Sequence, residues 1–349
     1  MGEIIGTAKN LAEFDNHKEL IRLENKDLGV VGFVAIHSRR GAFPSLGATR
    51  IWDYASETEA MRDALRLSRL MSYKSVFADL PYGGAKSTLM ISPNKFPPRE
   101  ELFAWYASQL NNLQGRFITG SDVGVEDADV TFMRRHTPFV IGDNVPAPYY
   151  TALGVLNGIE VALENLYLSS NLTARTFAVQ GLGKTGWELV KLLYGKAGKI
   201  FVSDIDAKKV VEINNSFPQV IPVDPDKIYT QKADIFCPCA LNYSINSQSA
   251  PLLQCLAIVG SANNQMENTD VEKTVHSRGI WYAVDYIVNN GGLISVADQY
   301  QHGTHNDSRI KEKLRITKEK LRNISITSAA KAITHAVMAD NFVATILYP

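Results

Sequence analysis

The sequence predicts a two-domain α/β chain, on three observations. At 349 residues it is longer than one hydrophobic core usually sustains, so two are expected. Its second half alternates short apolar, β-branched runs with stretches of helical spacing, the pattern of a parallel sheet covered by helices. Between the first two of those runs stands Gly181-Leu182-Gly183-Lys184-Thr185-Gly186, with glycines at the spacing of a phosphate-binding turn. Pro146 and Pro148 punctuate the chain ahead of that half, which places the expected boundary between residues 148 and 149. The first domain is then 1–148, joined by a C-terminal helix of about 326–349 packing back on it, and the second is 149–325.

Composition narrows the function classes. Lys+Arg and Asp+Glu both total 36, so no net field recruits nucleic acid or an anionic membrane, and a small ligand fits better. No apolar run is long enough to span a bilayer and no leader pattern opens the chain, so a cytoplasmic protein is expected. Cys237, Cys239 and Cys255 are odd in number and too sparse for a disulfide framework or a four-ligand zinc site, and read as buried thiols in or beside strands. His302 and His305 lack a third ligand at a recognised spacing; they read as part of a solvated loop, and no metal is expected.

In the first half, Gly29 to His37 is an apolar run of strand length, followed by the small-residue segment Leu46-Gly47-Ala48-Thr49-Arg50. Ser56 and Glu59 form a capping-box pattern, with Met61, Ala64, Leu65, Ser68 and Met71 at helical spacing behind it. That helix delivers Lys74, and Lys86 follows the pair Gly83-Gly84, which lets backbone amides and a substrate approach closely. Two ammonium groups in a dry cleft suit an anionic substrate. Desolvation and a like charge would lower one lysine pKa and make that lysine a usable base. Any single lysine is more often a solvated surface residue, so the pair needs support from elsewhere. Pro97 and Pro98 open a further helix with Leu102, Trp105, Tyr106 and Leu110 on one face, leading to Asp122 between the small residues Ser121 and Gly124.

In the second half, a helix begins near Thr151 and runs to about Leu168. Thr176 to Gln180 reads as a strand, the glycine loop follows, a helix carries Trp187, Leu189, Val190 and Leu193, and a second strand, Lys199 to Ser203, ends at Asp204. Strand, glycines, helix, strand and an acidic residue roughly 20 positions on form the complete Rossmann dinucleotide fingerprint. The glycines let the backbone reach a pyrophosphate at the positive end of the helix dipole. Asp204 would accept from a ribose 2′-hydroxyl and repel a 2′-phosphate, favouring NAD over NADP. A triphosphate-binding loop would need glycine where Ala178 stands, which rejects that reading. More strands are expected at Ala233–Cys237, Leu256–Gly260 and Ile280–Val284, with ligand-facing loops after them at Pro238–Asn242, Ser261–Gln265 and Asn289–Gly292. Arg309 to Arg322 reads as a solvated helix.

With these residues placed, the chain resembles the Glu/Leu/Phe/Val dehydrogenase family over about residues 30–342, most closely its leucine and phenylalanine branch. Met71-Ser72-Tyr73-Lys74, Gly83 to Lys86, Ser121 to Gly124, the Gly181 loop, Gly260 to Gln265 and Asn289 to Leu293 carry the resemblance. It implies an N-terminal α/β domain for substrate binding and oligomerisation, a Rossmann domain for NAD, and a homo-oligomer, dimer or larger. The implied reaction is reversible oxidative deamination of an L-amino acid to the 2-oxo acid and ammonia, in a cleft that closes about linkers near Pro146 and after Asp298. On this mapping Lys74 binds the substrate carboxylate, Lys86 activates the attacking water and Asp122 relays protons. Leu46, Gly47, Met71, Gly83, Gly84, Asn263, Asn290 and Leu293 are implied to line the substrate. NAD is implied to rest on Gly181, Leu182, Gly183, Lys184, Thr185, Gly186, Asp204, Ile205, Thr151, Cys239, Ala240 and Asn263. Members acting on glutamate carry a lysine where this chain has Leu46, so the substrate expected here is of the leucine, valine, phenylalanine or tryptophan type. Ala48, Ala85 and Asn290 depart from the family pattern: the two alanines each add a methyl close to the site and Asn290 is polar where small or apolar residues are usual, changes that would reshape the pocket or slow the enzyme. Two alternatives stay open: a catalytically silent relative that senses NAD and an amino acid, and a 2-hydroxy-acid dehydrogenase. The second needs a histidine base with an arginine clamp, and no histidine maps to the site.

Overall fold

The computed structural model describes residues 2–241, 243–331 and 334–348. Asn242, in one of the expected ligand-facing loops, and two residues of the expected final helix, Ala332 and Ile333, lie outside the described residues. The chain divides into two compact units, Met1–Val145 with Val296–Asn306, and Pro146–Ser295 with Asp307–Pro349.

The first unit is a mixed sheet with helices on both faces. Its strands are β1 (Gly2–Glu3), β2 (Glu19–Asn25), β3 (Val30–Ile36), β4 (Ser45–Leu46), β5 (Thr49–Trp52), β6 (Gly83–Met90) and β7 (Phe117–Ile118). They run in the order β1-β2-β3-β6-β4-β7, with β5 paired to β6. The helices are α1 (Ile5–Ala8), α2 (Glu57–Phe77), α3 (Arg99–Asn112) and α4 (Asp127–Arg134). Half of the expected capping box forms: Glu59 N donates to Ser56 Oγ at 3.2 Å, while Glu59 Oε2 accepts from Ala55 N at 3.1 Å, one residue before the cap, rather than from Ser56 N.

Strand alternation sorts the side chains of this sheet between two cores. Leu20, Phe33 and Ala35 pack with Ala60, Ala64 and Leu65 of α2. Val34, Ile36, Ala85 and Leu89 pack with Leu102, Tyr106 and Leu110 of α3. Because Lys86 pairs with Ala35 and Ala85 with Ile36, Lys86 faces α2 while the Ala85 methyl enters the opposite core. The expectation that Ala85 adds a methyl at the site is therefore corrected.

The second unit is built on six parallel strands: β8 (Thr176–Gln180), β9 (Lys199–Ser203), β10 (Ile221–Pro222), β11 (Ala233–Pro238), β12 (Cys255–Ile258) and β13 (Trp281–Tyr282). Their order, β10-β9-β8-β11-β12-β13, reverses direction between β8 and β11, the switch point of a doubly wound sheet. Helices α5 (Ala147–Tyr167), α6 (Lys184–Leu193), α7 (Ala207–Ser216), α8 (Thr269–Ser277), α9 (Asp285–Val288), α10 (Gly291–His302), α11 (Asp307–Lys331) and α12 (His335–Leu347) complete the chain. The division between units falls inside α10, between Ser295 and Val296. Cys237 and Cys255 are buried in β11 and β12, and all three thiols are free. No described helix is long and apolar enough to cross a membrane.

Two expectations change here. The charged stretch 309–322 is not solvated all round: Ile310, Leu314 and Leu321 of α11 are buried. Its charges also pair with α5, Lys318 with Glu160 and Arg322 with Glu164 through two bonds of 2.9 Å. A helix can read as charged in sequence when one stripe is apolar and its ions have partners. The C-terminal helix α12 belongs to the second unit rather than the first. Its Ala339 and Val343 are buried, and Asp340 accepts from the Tyr286 hydroxyl at 2.6 Å.

Candidate active site

In the first unit, β6 and the loop after β7 bring the two expected catalytic residues together. Lys86 Nζ donates to Asp122 Oδ2 at 2.5 Å, across 36 positions of sequence. The lysine side chain is only 6% exposed and the aspartate 20%. Burial holds the Lys86 ammonium below the usual lysine range, and neighbouring Arg50 adds to this against the pull of Asp122. Burial alone would raise the Asp122 carboxyl, but Lys86 and Arg50 outweigh it and hold Asp122 well below the usual carboxylate range. The pair is thus a dry ammonium–carboxylate contact in which the lysine proton is the labile one.

Lys74 is buried in the last turn of α2, the helix that packs on β6. Met71 is half-buried one turn earlier. The glycines between helix and strand are closely packed. A Cβ on Gly84 would stand 2.1 Å from the Ser72 amide nitrogen, and one on Gly83 would stand 1.9 Å from the Ser38 carbonyl oxygen. Their amides are also engaged, Gly83 N with Pro44 O at 3.1 Å and Gly84 N with Ser38 Oγ at 3.3 Å. Gly83 and Gly84 therefore allow the close backbone packing between α2, β6 and the loop after β3. Gly47 is similar, since its Cβ would meet the Ala85 oxygen at 1.9 Å. Leu46 is 1% exposed beside it.

In the second unit, the glycine loop follows β8 as expected. Gly181 has φ +92° and passes so close to Cys239 and Ala240 that a Cβ would meet Ala240 N at 2.6 Å. Gly186 could not carry a Cβ either, because Gly181 O lies 1.9 Å from its position. Around Gly183 that space is open. Gly183 is also the N-cap of α6 and offers no side-chain acceptor to the first helical amides, which leaves a helix N-terminus suited to an anion. Asp204 lies directly after β9. Its Oδ2 accepts from Leu182 N at 2.7 Å and its Oδ1 from Asp206 N at 2.9 Å. Ile205 beside it is 94% exposed, an apolar side chain presented to solvent. These residues fit a dinucleotide: a glycine-flanked turn, a helix N-terminus without a side-chain cap, a fixed carboxylate and an exposed apolar residue.

Residues 18–139 match the family described as Glu/Leu/Phe/Val dehydrogenase, dimerisation domain, and residues 146–346 match Glutamate/Leucine/Phenylalanine/Valine dehydrogenase. The chain belongs to this dehydrogenase family. It is 39% identical over 288 residues to an L-tryptophan dehydrogenase of Nostoc punctiforme, covering 81% of this chain and 80% of that one. It is 34% identical over 341 residues to a phenylalanine dehydrogenase of Caldalkalibacillus thermarum, covering 95% and 91%. The crystal structure of the Nostoc punctiforme enzyme superposes with a TM-score of 0.78 at 34% identity, covering 97% of both chains.

As a member of that family, the chain has further features at its strand-end loops. Asn289 Nδ2 donates to Ser261 O at 3.1 Å and to Asn263 Oδ1 at 3.2 Å, tying the loop after β12 to the turn before α10. Thr151 Oγ1 donates to Ala147 O at 2.9 Å. A Cβ on Gly292 would lie 2.8 Å from that hydroxyl, and one on Gly291 would lie 2.0 Å from Tyr150 O. Leu293 is buried on α10. Asn290 is wholly buried, both of its amide atoms lack a partner, and it borders a small cavity with Gly158, Leu314 and Thr317. Lys184 and Thr185 occupy the first turn of α6.

Sequence reasoning missed Arg50, Asp63 and Tyr54. Arg50 Nε donates to Asp122 Oδ2 at 3.1 Å and its Nη1 to Asp63 Oδ2 at 3.0 Å, while the Tyr54 hydroxyl donates to Asp63 Oδ2 at 2.7 Å. The only signal available was an arginine inside the segment Leu46 to Arg50.

Proposed function

We propose that this NAD-dependent amino-acid dehydrogenase catalyses the reversible oxidative deamination of a hydrophobic L-amino acid of the leucine, valine, phenylalanine or tryptophan type. The observation that carries the mechanism is the buried Lys86–Asp122 contact. Lys74 binds the substrate carboxylate as a point charge. NAD held by the second unit would supply the hydride acceptor for oxidation at the substrate Cα. Lys86, whose pKa burial lowers, takes a proton, once it has lost its own, from the water that attacks the substrate imine. Asp122, held ionised, passes protons to and from the substrate nitrogen. Leu46, Gly47 and Met71 of the first unit form a wall against the substrate side chain. A substrate carboxylate buried there without a partner would cost on the order of 2 kcal/mol or more, which disfavours glutamate.

Gly181, Leu182 and Gly183 cradle the pyrophosphate at the α6 N-terminus, with Lys184, Thr185 and Gly186 forming its first turn. Asp204 holds the ribose hydroxyls and Ile205 packs on the adenine. Cys239 and Ala240 line the opposite side of the loop, and Thr151 and Asn263 steady the nicotinamide. The same reading carries a cytoplasmic homo-oligomer assembled through the N-terminal domain.

The test is the near-ultraviolet absorbance of NADH when purified protein meets NAD and a panel of L-amino acids at alkaline pH. NADH formation with apolar members only is the expected result. Saturable NAD binding with no turnover on any of them would replace this reading by the silent sensor.

A further inference from the structure

The charged groups bearing on Lys86 come from separate elements: Asp122 from the loop after β7, Arg50 from β5 and Asp63 from α2. They form one chain of alternating sign. Lys86 touches Asp122, Asp122 touches Arg50, Arg50 touches Asp63, and Asp63 touches Arg66. The side chains of Arg50, Asp63 and Arg66 are 8%, 12% and 10% exposed, so water screens them little. Two carboxylates therefore face two guanidiniums, which stay charged at any working pH. Tyr54 adds no charge, since burial and then Asp63 push its phenol up and keep it a neutral donor. Among these five side chains, the charges cancel when Lys86 is neutral.

We propose that Arg50 is a positioning residue: clamped between Asp122 and Asp63, it fixes the Asp122 carboxylate against Lys86 and balances its charge, which leaves Lys86 as the surplus cation that sheds its proton. The proposal deepens the deamination reading and rests on it for the use of that lysine. In that reading kcat/KM rises with pH as Lys86 deprotonates. Removing the Arg50 charge makes Lys86 the sole counter-ion of Asp122, so its proton is held more tightly. Removing the Asp63 charge leaves Arg50 uncompensated, so the Lys86 proton leaves more readily. The two neutral variants therefore move the same lysine in opposite directions, which loss of packing alone would not do.

The experiment compares the full-length protein with Arg50→Gln, Arg50→Lys and Asp63→Asn. One readout is independent of activity: the pH dependence of reductive methylation of Lys86 by formaldehyde and cyanoborohydride, followed by peptide mass spectrometry. The other is the acid limb of kcat/KM for the best apolar amino acid. Arg50→Gln is expected to move both profiles up by about one pH unit or more, the size that one neighbouring charge gives, with kcat falling further than KM rises. Arg50→Lys, which keeps a cation but loses the two-sided clamp, recovers part of that shift. Asp63→Asn is expected to move both profiles down. A folded Arg50→Gln protein with an unmoved Lys86 profile overturns the proposal. If that variant does not fold, Asp63→Asn decides alone, and an unmoved or upward profile overturns it. Opposite methylation shifts in a protein that deaminates nothing would sink the deamination reading while leaving the charge balance standing.

Discussion

Gly84 lies backbone to backbone against Ser72, so close that a Cβ would stand 2.1 Å from the serine nitrogen and 2.6 Å from its Cα. Neither is the tip of a flexible side chain, so α2 itself would have to move. Lys74 sits less than one turn further along that helix. Gly84→Ala is therefore expected to cost about 1–3 kcal/mol, the range of an overpacked core. It should also raise KM for the amino acid more than KM for NAD. Urea unfolding and initial rates check both, and an unchanged midpoint would mean that the helix yields freely.

The glycine loop was legible because everything it needs is local. Strand, turn, helix and acid follow one another within one stretch of chain, and β8 and β9 fall where their apolar runs stand. Lys86 and Asp122 were legible as residue types, but their contact was not. The Arg50–Asp122 bond spans 72 positions and joins β5 to the loop after β7, which only the pairing of β5 and β4 with β6 and of β4 with β7 brings near each other. Gly83 and Gly84 were legible as points of close approach, but a sequence shows that space is needed and not what fills it. The place of α12 was missed for a related reason: an apolar stripe declares that a helix is covered and leaves open by what.

Lys86→Ala removes the base and leaves the dinucleotide loop, in the other unit, untouched. Turnover is expected to fall by about 10²–10⁴-fold, the usual worth of a positioned general base. NADH affinity, read by fluorescence titration, should stay close to that of the unaltered protein. Turnover near the original level would remove Lys86 from the chemistry.

On the proposed reading Asp204 has two tasks. It accepts from Leu182 N at 2.7 Å, which fixes the glycine loop, and its negative charge disfavours a 2′-phosphate. Asp204→Ala should raise KM for NAD through the first and narrow the preference for NAD over NADP through the second. Asp204→Asn keeps an acceptor for Leu182 and should change discrimination more than it changes KM for NAD. Unaltered discrimination in both variants would contradict the assignment.

His17 makes the first unit sensitive to acid. It is 4% exposed. Its Nδ1 accepts from Asp15 N at 3.1 Å, while Nε2 lies 2.9 Å from Leu65 O. One nitrogen accepting and the other donating describes a neutral ring with no place for a second proton. Burial first, and then the neighbouring His37, lower its pKa from the ordinary 6.5 to about 4. The unfolded chain therefore binds a proton over a range in which the folded one does not. The stability gained from a neutral His17 is complete above the ordinary value and is lost as pH falls toward about 4. Between pH 7 and pH 5 this amounts to about 2 kcal/mol. The unaltered protein should lose that much more stability over the interval than His17→Gln, which donates to Leu65 O without titrating. Urea midpoints at the two pH values measure the difference, and parallel losses in both proteins would place the acid sensitivity elsewhere.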